Sequence, residues 1–206
     1  MTSSPSETET TAHPLQELAD EVAGAVGGEA EITFDTIKVH VSPESWVETL
    51  TTARDDLGLV FFSWLSAVDW TAEVEVGDSP GDDVETRFEV LAAVADVSAG
   101  RRVIFTTNVQ HDAPSIASLV DVYSGANWHE REAHEMFGID FEGHPNLANL
   151  YLTDSFIGNP LRKSYPLLSR EVKPWPGKVD VEGMPGADDD DADETADGPS
   201  EENPEA

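Results

Sequence analysis

Two apolar runs flank the short turn Ser98-Ala99-Gly100. They are Arg87-Phe-Glu-Val-Leu-Ala-Ala-Val-Ala-Asp-Val97 and Arg102-Val-Ile-Phe-Thr-Thr-Asn-Val109. Strand-forming runs around a glycine-containing turn predict an antiparallel hairpin. A lone hairpin is marginal in water, so the flanking segments must complete a sheet and cover it.

Leu15–Val26 has apolar residues at helical spacing and stops before Gly27-Gly28. Ile32–Val41 alternates like a strand. Ser42-Pro43 has the chemistry of a helix start, serine as cap and proline in the first turn, for a helix to about Arg54. Leu59–Val68 reads as a buried strand and Thr71–Asp83 as an acidic loop. Pro114–Tyr123 reads as a helix broken by Ser124-Gly125. A further helix is expected from Asn127 to about Phe137, with Asn127 and Glu130 in capping-box positions and Gly138 as the stop. The sum is an α+β fold over 13–145, a small mixed, largely antiparallel sheet packed with helices. Met1–Ala12 is polar and reads as disordered.

After Pro145 no period survives. Pro160, Pro166, Pro174, Pro176 and Pro185 mark 146–186 as an extended arm. Within it, Asn159–Lys178 carries five bases and one acid, in a chain whose net charge is -31. Prolines lower the entropy lost on docking, and Tyr165 and Trp175 are aromatic anchors of the kind interfaces use. Charge alone leaves open whether the arm docks on its own domain or on a partner. Ala187–Ala206 holds ten acids and no base and reads as a disordered tail.

Charge and composition exclude several functions. So acidic a chain lacks the Lys/Arg footprint of a nucleic-acid binder. No apolar run is long enough to span a membrane. The start of the chain lacks the basic and apolar stretches of a secretory signal, so a cytoplasmic location is expected. There is no cysteine, which removes disulfides, thiolate zinc sites and ordinary iron–sulfur ligation.

The densest ionisable stretch is Trp128–Pro145. A stand-alone metal enzyme would use His129, Glu130, His134 and His144. The two helix histidines, however, are five apart and so about 140° around the helix, not on one face. Acid–base catalysis by the same cluster lacks any accompanying nucleophile elbow, phosphate loop or dinucleotide fingerprint. The remaining reading is structural. With Trp128, Ala133, Met136 and Phe137 as the apolar side, Glu132 falls inside it, either paired with a cation or snorkelling to water. Glu130, Arg131, His134 and Glu135 then face outward.

These residues carry a resemblance. Glu130-Arg131-Glu132, two residues, an acid, two apolar residues, then Gly138-Ile139 and Gly143-His144-Pro145, resembles the signature of the complex I 30-kDa (C-subunit) family. So does Pro160-Leu161-Arg162-Lys163 followed by Tyr165-Pro166. Weaker matches run through Ala67-Val-Asp69, Asp112-Ala-Pro-Ser-Ile116 and Ala126-Asn-Trp128, so that roughly 30–185 is covered. Two departures stand out. The family usually has an aromatic residue and Asp where this chain has His134 and Glu135, and bases where it has Ala148 and Asn149. The resemblance implies a non-catalytic subunit of the peripheral arm of NADH:quinone oxidoreductase. Such a subunit sits on the cytoplasmic side of the membrane, packs against the large D-type subunit and its neighbours, and holds no cofactor. The NADH, flavin, iron–sulfur clusters and quinone belong to the whole complex. It also implies partner contacts through Glu130, Arg131, Glu132, Arg162 and Lys163, and by motif position Gly138, His144, Pro145, Pro160, Leu161, Tyr165 and Pro166. Related modules occur in membrane-bound hydrogenases and in complexes fed by deazaflavin or ferredoxin.

Overall fold

A computed structural model describes residues 13–71 and 84–166. The N-terminal segment, most of the acidic loop, Trp175 and the acidic tail lie outside the described residues.

The predicted hairpin forms the centre of the sheet. β4 (Arg87–Asp96) and β5 (Arg101–Gln110) pair antiparallel, and Asp96 Oδ1 closes the turn by accepting the Ser98 and Ala99 N–H groups. Helix α1 spans Gln16–Val26 and ends at Gly27 in the left-handed conformation. The single strand expected over Ile32–Val41 is instead two, β1 (Glu29–Thr33) and β2 (Thr36–His40), paired antiparallel. Phe34 and Asp35 turn the chain with φ of 49° and 55°. Two consecutive left-handed residues suit the right-handed strand twist, and neither is glycine, so no local signal marks the turn. β2 then pairs parallel with β5.

Ser42 is extended and places no side-chain cap on the next segment; its hydroxyl donates instead to Ser45 Oγ. One 3₁₀ turn, Pro43–Ser45, leads into α2 (Trp46–Asp55). β3 (Phe61–Trp70) joins the far side of β4, with a bulge between Phe62 and Trp64. The expectation of a fully buried strand here does not hold. β3 is the edge of a five-stranded sheet ordered β1-β2-β5-β4-β3, and its burial alternates. Alternation follows because only one sheet face is packed on the core.

That inner face supplies Ile37, Val39, Leu65, Phe88, Val90, Val103 and Phe105. They form one cluster with Ala19 and Val22 of α1, Trp46 and Leu50 of α2, and Ala133 and Phe137. The outer face carries polar side chains, among them Lys38, whose Nζ lies 2.6 Å from Glu89.

The helix expected over Pro114–Tyr123 is absent. Ser115–Ala117 is a short strand, β6, paired parallel with β7 (Asp140–Glu142). The chain then turns through Leu119 and Tyr123 into α3 (Ala126–Phe137), which ends at left-handed Gly138. Among 146–166 the structure has turns and no helix or strand. The observed class is α+β, with a mainly antiparallel five-stranded sheet and a small parallel two-stranded one, and the largely antiparallel α+β class is the one the sequence pattern predicted.

The α3 scaffold as candidate functional site

Helix α3 buries two of its three glutamates. Glu130, expected on the outward side, is wholly inaccessible, and Glu135 is buried as well. Glu132, expected within the apolar stripe, is only half-buried, and Trp128 is 62% exposed. The expected face assignment is therefore rotated. The physical reason is that both buried carboxylates find backbone donors outside the helix, which offsets part of the cost of burying Glu130 and more than offsets it for Glu135.

Glu130 does not complete a capping box with Asn127, and α3 has no side-chain cap. Its carboxylate reaches the preceding turn. Ser118 Oγ donates to one oxygen and the Leu119 N–H to the other, both at 2.6 Å. Burial pushes this carboxyl up to about 7, against the opposing effect of the Ser118 and Leu119 hydrogen bonds.

Glu135 organises the chain after Pro145. Its carboxylate accepts the N–H groups of Leu150, Tyr151 and Leu152 at 2.6–3.3 Å. Burial works to raise this carboxyl. The Leu152, Tyr151 and Leu150 N–H groups and the nearby Arg131 outweigh burial and hold it below its ordinary range.

The other motif residues are also fasteners. Arg131 Nε donates to Ala148 O and covers the Trp128 ring at 5.1 Å. The arginine therefore meets carbonyls at Ala148 and Asn149, where the family usually places bases. His144 Nδ1 accepts the Asn146 N–H, so Nε2 carries the proton and donates to Asn127 O. His134 Nδ1 lies 2.8 Å from Ile139 O. His129 packs its ring at 5.7 Å from Phe62. Among the described residues, no group of three or more His, Cys, Asp or Glu side chains is arranged to hold a metal.

The second motif lies against the first. Leu161 N–H donates to Met136 O, Asn159 Nδ2 to Glu135 O, and Arg162 Nε to Phe137 O. Together they satisfy carbonyls that the end of α3 leaves without helical partners. The Arg162 guanidinium also stands over the Phe88 ring at 5.2 Å. Lys163 contributes its backbone N–H, which donates to buried Asp69 at 2.9 Å, and His111 approaches the same carboxylate at 3.4 Å. Pro160 is half-buried, Leu161 exposed, Tyr165 stacked on Phe156, and Pro145 and Pro166 face solvent. The described part of the arm, 146–166, thus folds back on its own domain.

Ser118 and Asn159 are structural residues that the sequence motifs did not single out, and Asp69 and Glu135 lay within the matched stretches without being named among the contacts. Gly138 is central because the arm crosses it closely. With φ of +73°, it would bring an added Cβ to 2.8 Å from Asn159 Oδ1 and 2.9 Å from an Arg162 nitrogen. Gly138→Ala is expected to lose about 2 kcal/mol, from left-handed strain plus displacement of Arg162. An unfolding free energy from urea titration that falls by that amount checks it, and an unchanged value would mean the arm yields freely.

The chain has relatives of known name. The C subunit of the NADH-quinone oxidoreductase of Methylobacterium sp. (strain 4-46) is 37% identical over 165 residues, covering 78% of this chain and 72% of that one. The protein of the same name from Citrifermentans bemidjiense is 35% identical over 143 residues, covering 69% and 82%. Among solved structures, the trypsin-resistant fragment of Nqo5 superposes with a TM-score of 0.51 at 22% identity, over 64% of this chain and 98% of that one. A chain of an archaeal respiratory membrane complex, the membrane-bound sulfane sulfur reductase, gives 0.52 at 19%, over 80% and 96%. At such identities the two structures speak for the fold alone. The sequence profile described as "Respiratory-chain NADH dehydrogenase, 30 Kd subunit" matches residues 39–171. That match takes in the sheet strands β3 to β5, the α3 acids and the arm against them, and the chain belongs to the 30-kDa subunit family of respiratory NADH dehydrogenases.

Proposed function

We propose that this chain is the C-type subunit of an NADH:quinone oxidoreductase and that it serves the complex as a structural part, without catalytic residues of its own. It sits in the peripheral arm on the cytoplasmic side of the membrane and packs against the large D-type subunit. Electrons pass from NADH through flavin and iron–sulfur clusters held by other subunits to quinone. One observation carries the reading: relatives that bear the C-subunit name match most of the chain at 35–37% identity. The chemistry of α3 supports the non-catalytic part. Glu130, Glu135, Arg131, His144 and Arg162, the groups best suited to acid–base work, are hydrogen-bonded to this chain's own backbone. A group held that way is poorly placed to meet a substrate. The chain offers no thiolate to a cluster, having no cysteine. No helix among the described residues is long and apolar enough to cross a membrane.

The test is affinity purification of the tagged full chain from gently solubilised membranes, with mass spectrometry of what accompanies it. The D-type subunit should be recovered together with NADH-binding flavin and iron–sulfur subunits. Hydrogenase subunits, or subunits of a deazaflavin- or ferredoxin-fed complex, in their place would change the electron donor. A chain recovered alone with bound metal would overturn the reading.

A further inference from the structure

On α3, Trp128, His129 and Glu132 border a groove closed on its other side by Leu150 and Tyr151, with a volume of about 320 Å³. Trp128 and Tyr151 are 62% and 65% exposed, so two large aromatic surfaces stand in water at one place. Glu132 differs from the other two glutamates of the helix. Glu130 and Glu135 are bound by backbone donors, whereas Glu132 has no hydrogen bond or ion pair among the described residues. The nearest basic residue in sequence, Arg131, is occupied with the Ala148 and Asn149 carbonyls and with the Trp128 ring. This domain therefore places a half-buried carboxylate between aromatic walls and gives it no cation.

We propose that the groove receives an arginine side chain from a neighbouring subunit. This rests on the reading of the chain as a subunit of a larger complex. The guanidinium pairs with Glu132, and its flat face stacks on Tyr151 and on the edge of Trp128 left free by Arg131. Arginine fits better than lysine, because a planar, weakly hydrated cation both stacks on aromatic rings and pairs with a carboxylate in two-point fashion. An aliphatic anchor would seal Glu132 from water without a partner, and an acidic one would meet like charge. A second copy of this chain is a poor occupant, since two molecules of net charge -31 repel. The position is consistent with the rest of α3: its inner acids hold the domain together, and the outer one remains available.

The experiment uses the intact complex. Tyr151 is replaced by the photo-crosslinking residue p-benzoylphenylalanine, membranes are irradiated, and crosslinked peptides are sequenced. An adduct on another subunit, with an arginine at the attachment point or within two residues of it, is the expected result. Adducts confined to this chain, adducts on a segment without arginine, or no adduct from a complex that purifies whole each overturn the proposal. A tagged chain that purifies with no other subunit overturns the complex reading instead, so the two failures are distinct. In parallel, Glu132→Gln is expected to leave the chain's urea midpoint unchanged while reducing its retention on membranes washed in high salt about tenfold. Glu132→Arg should lose retention further and recover it when the crosslinked arginine is changed to glutamate. A lowered urea midpoint, or unchanged retention, in Glu132→Gln would assign Glu132 an internal role and end the proposal.

Discussion

Glu130→Gln is expected to make the chain more stable above neutral pH. The wild-type carboxyl titrates at about 7 when folded, against an ordinary value of 4.5. Its folded value is raised, so the folded state holds a proton that the unfolded chain has already released. The stability this confers is fully present below pH 4.5 and is lost as pH rises toward 7 and above. The difference corresponds to about 3 kcal/mol. Glutamine keeps an acceptor for the Leu119 N–H and carries no charge to desolvate, so the variant lacks this slope. The stability of wild type minus variant, measured by urea unfolding from pH 4.5 to 8.5, should fall across that range and then level off. A flat difference would mean that Glu130 ionises in place without penalty. Glu130→Ala is the harsher change. It leaves the buried Leu119 N–H and the Ser118 hydroxyl without their shared acceptor and opens a cavity, for an expected loss of about 3–5 kcal/mol.

Glu135→Ala is expected to release the arm while leaving the sheet folded. Three consecutive N–H groups, from Leu150 to Leu152, converge on this one carboxylate. Charge-assisted bonds of this kind are worth more than neutral ones, and losing them should weaken local docking by about 2–4 kcal/mol. Hydrogen exchange should show the amides of 150–152 losing protection, with those of Val90 and Phe105 unchanged. Loss of protection across the whole sheet would mean that the arm and domain unfold together. The pH dependence has the opposite sign from that of Glu130. The folded carboxyl is held below its ordinary value, so its contribution is present above the ordinary carboxylate range and is lost as pH falls through the folded value. Acid should therefore open the arm at a pH where the Glu130 contribution is still complete.

Some of this organisation was legible in sequence because its causes are local. The β4–β5 hairpin follows from two apolar runs and a glycine turn, and the end of α3 from Gly138. Other parts depend on distant partners. Pro114–Tyr123 suggests a helix until Ser115 is seen paired with Asp140. The turn at Phe34-Asp35 carries no glycine or asparagine to announce two left-handed residues. The face of α3 is the sharpest case. A helical wheel places residues by the apolar positions around them, and so it set Glu130 and Glu135 outside and Glu132 within the apolar side. Here the inward acids are stabilised by N–H groups at Leu119 and Leu150–Leu152, which no periodicity within the helix reveals. The motif resemblance named Glu130, Arg131, Gly138 and Arg162. It did not say that the two motifs meet at the end of α3 and lock one another.

The parallel pairing of β2 with β5 also constrains how the chain can be made. His40 meets Thr106 across 66 residues of sequence. At about 5–20 residues per second of synthesis, Ile37 and Val39 wait on the order of several seconds for the strand that will cover their edge. During that interval α1, the β1–β2 hairpin and α2 have emerged with an apolar face and no sheet to lie on. The β4–β5 hairpin closes at once when it appears, because its contacts are short-range. The first half of the chain is thus expected to fold last, onto a template made by the second, and nascent chains stalled before Arg101 should bind holding chaperones far more than chains stalled after Gln110.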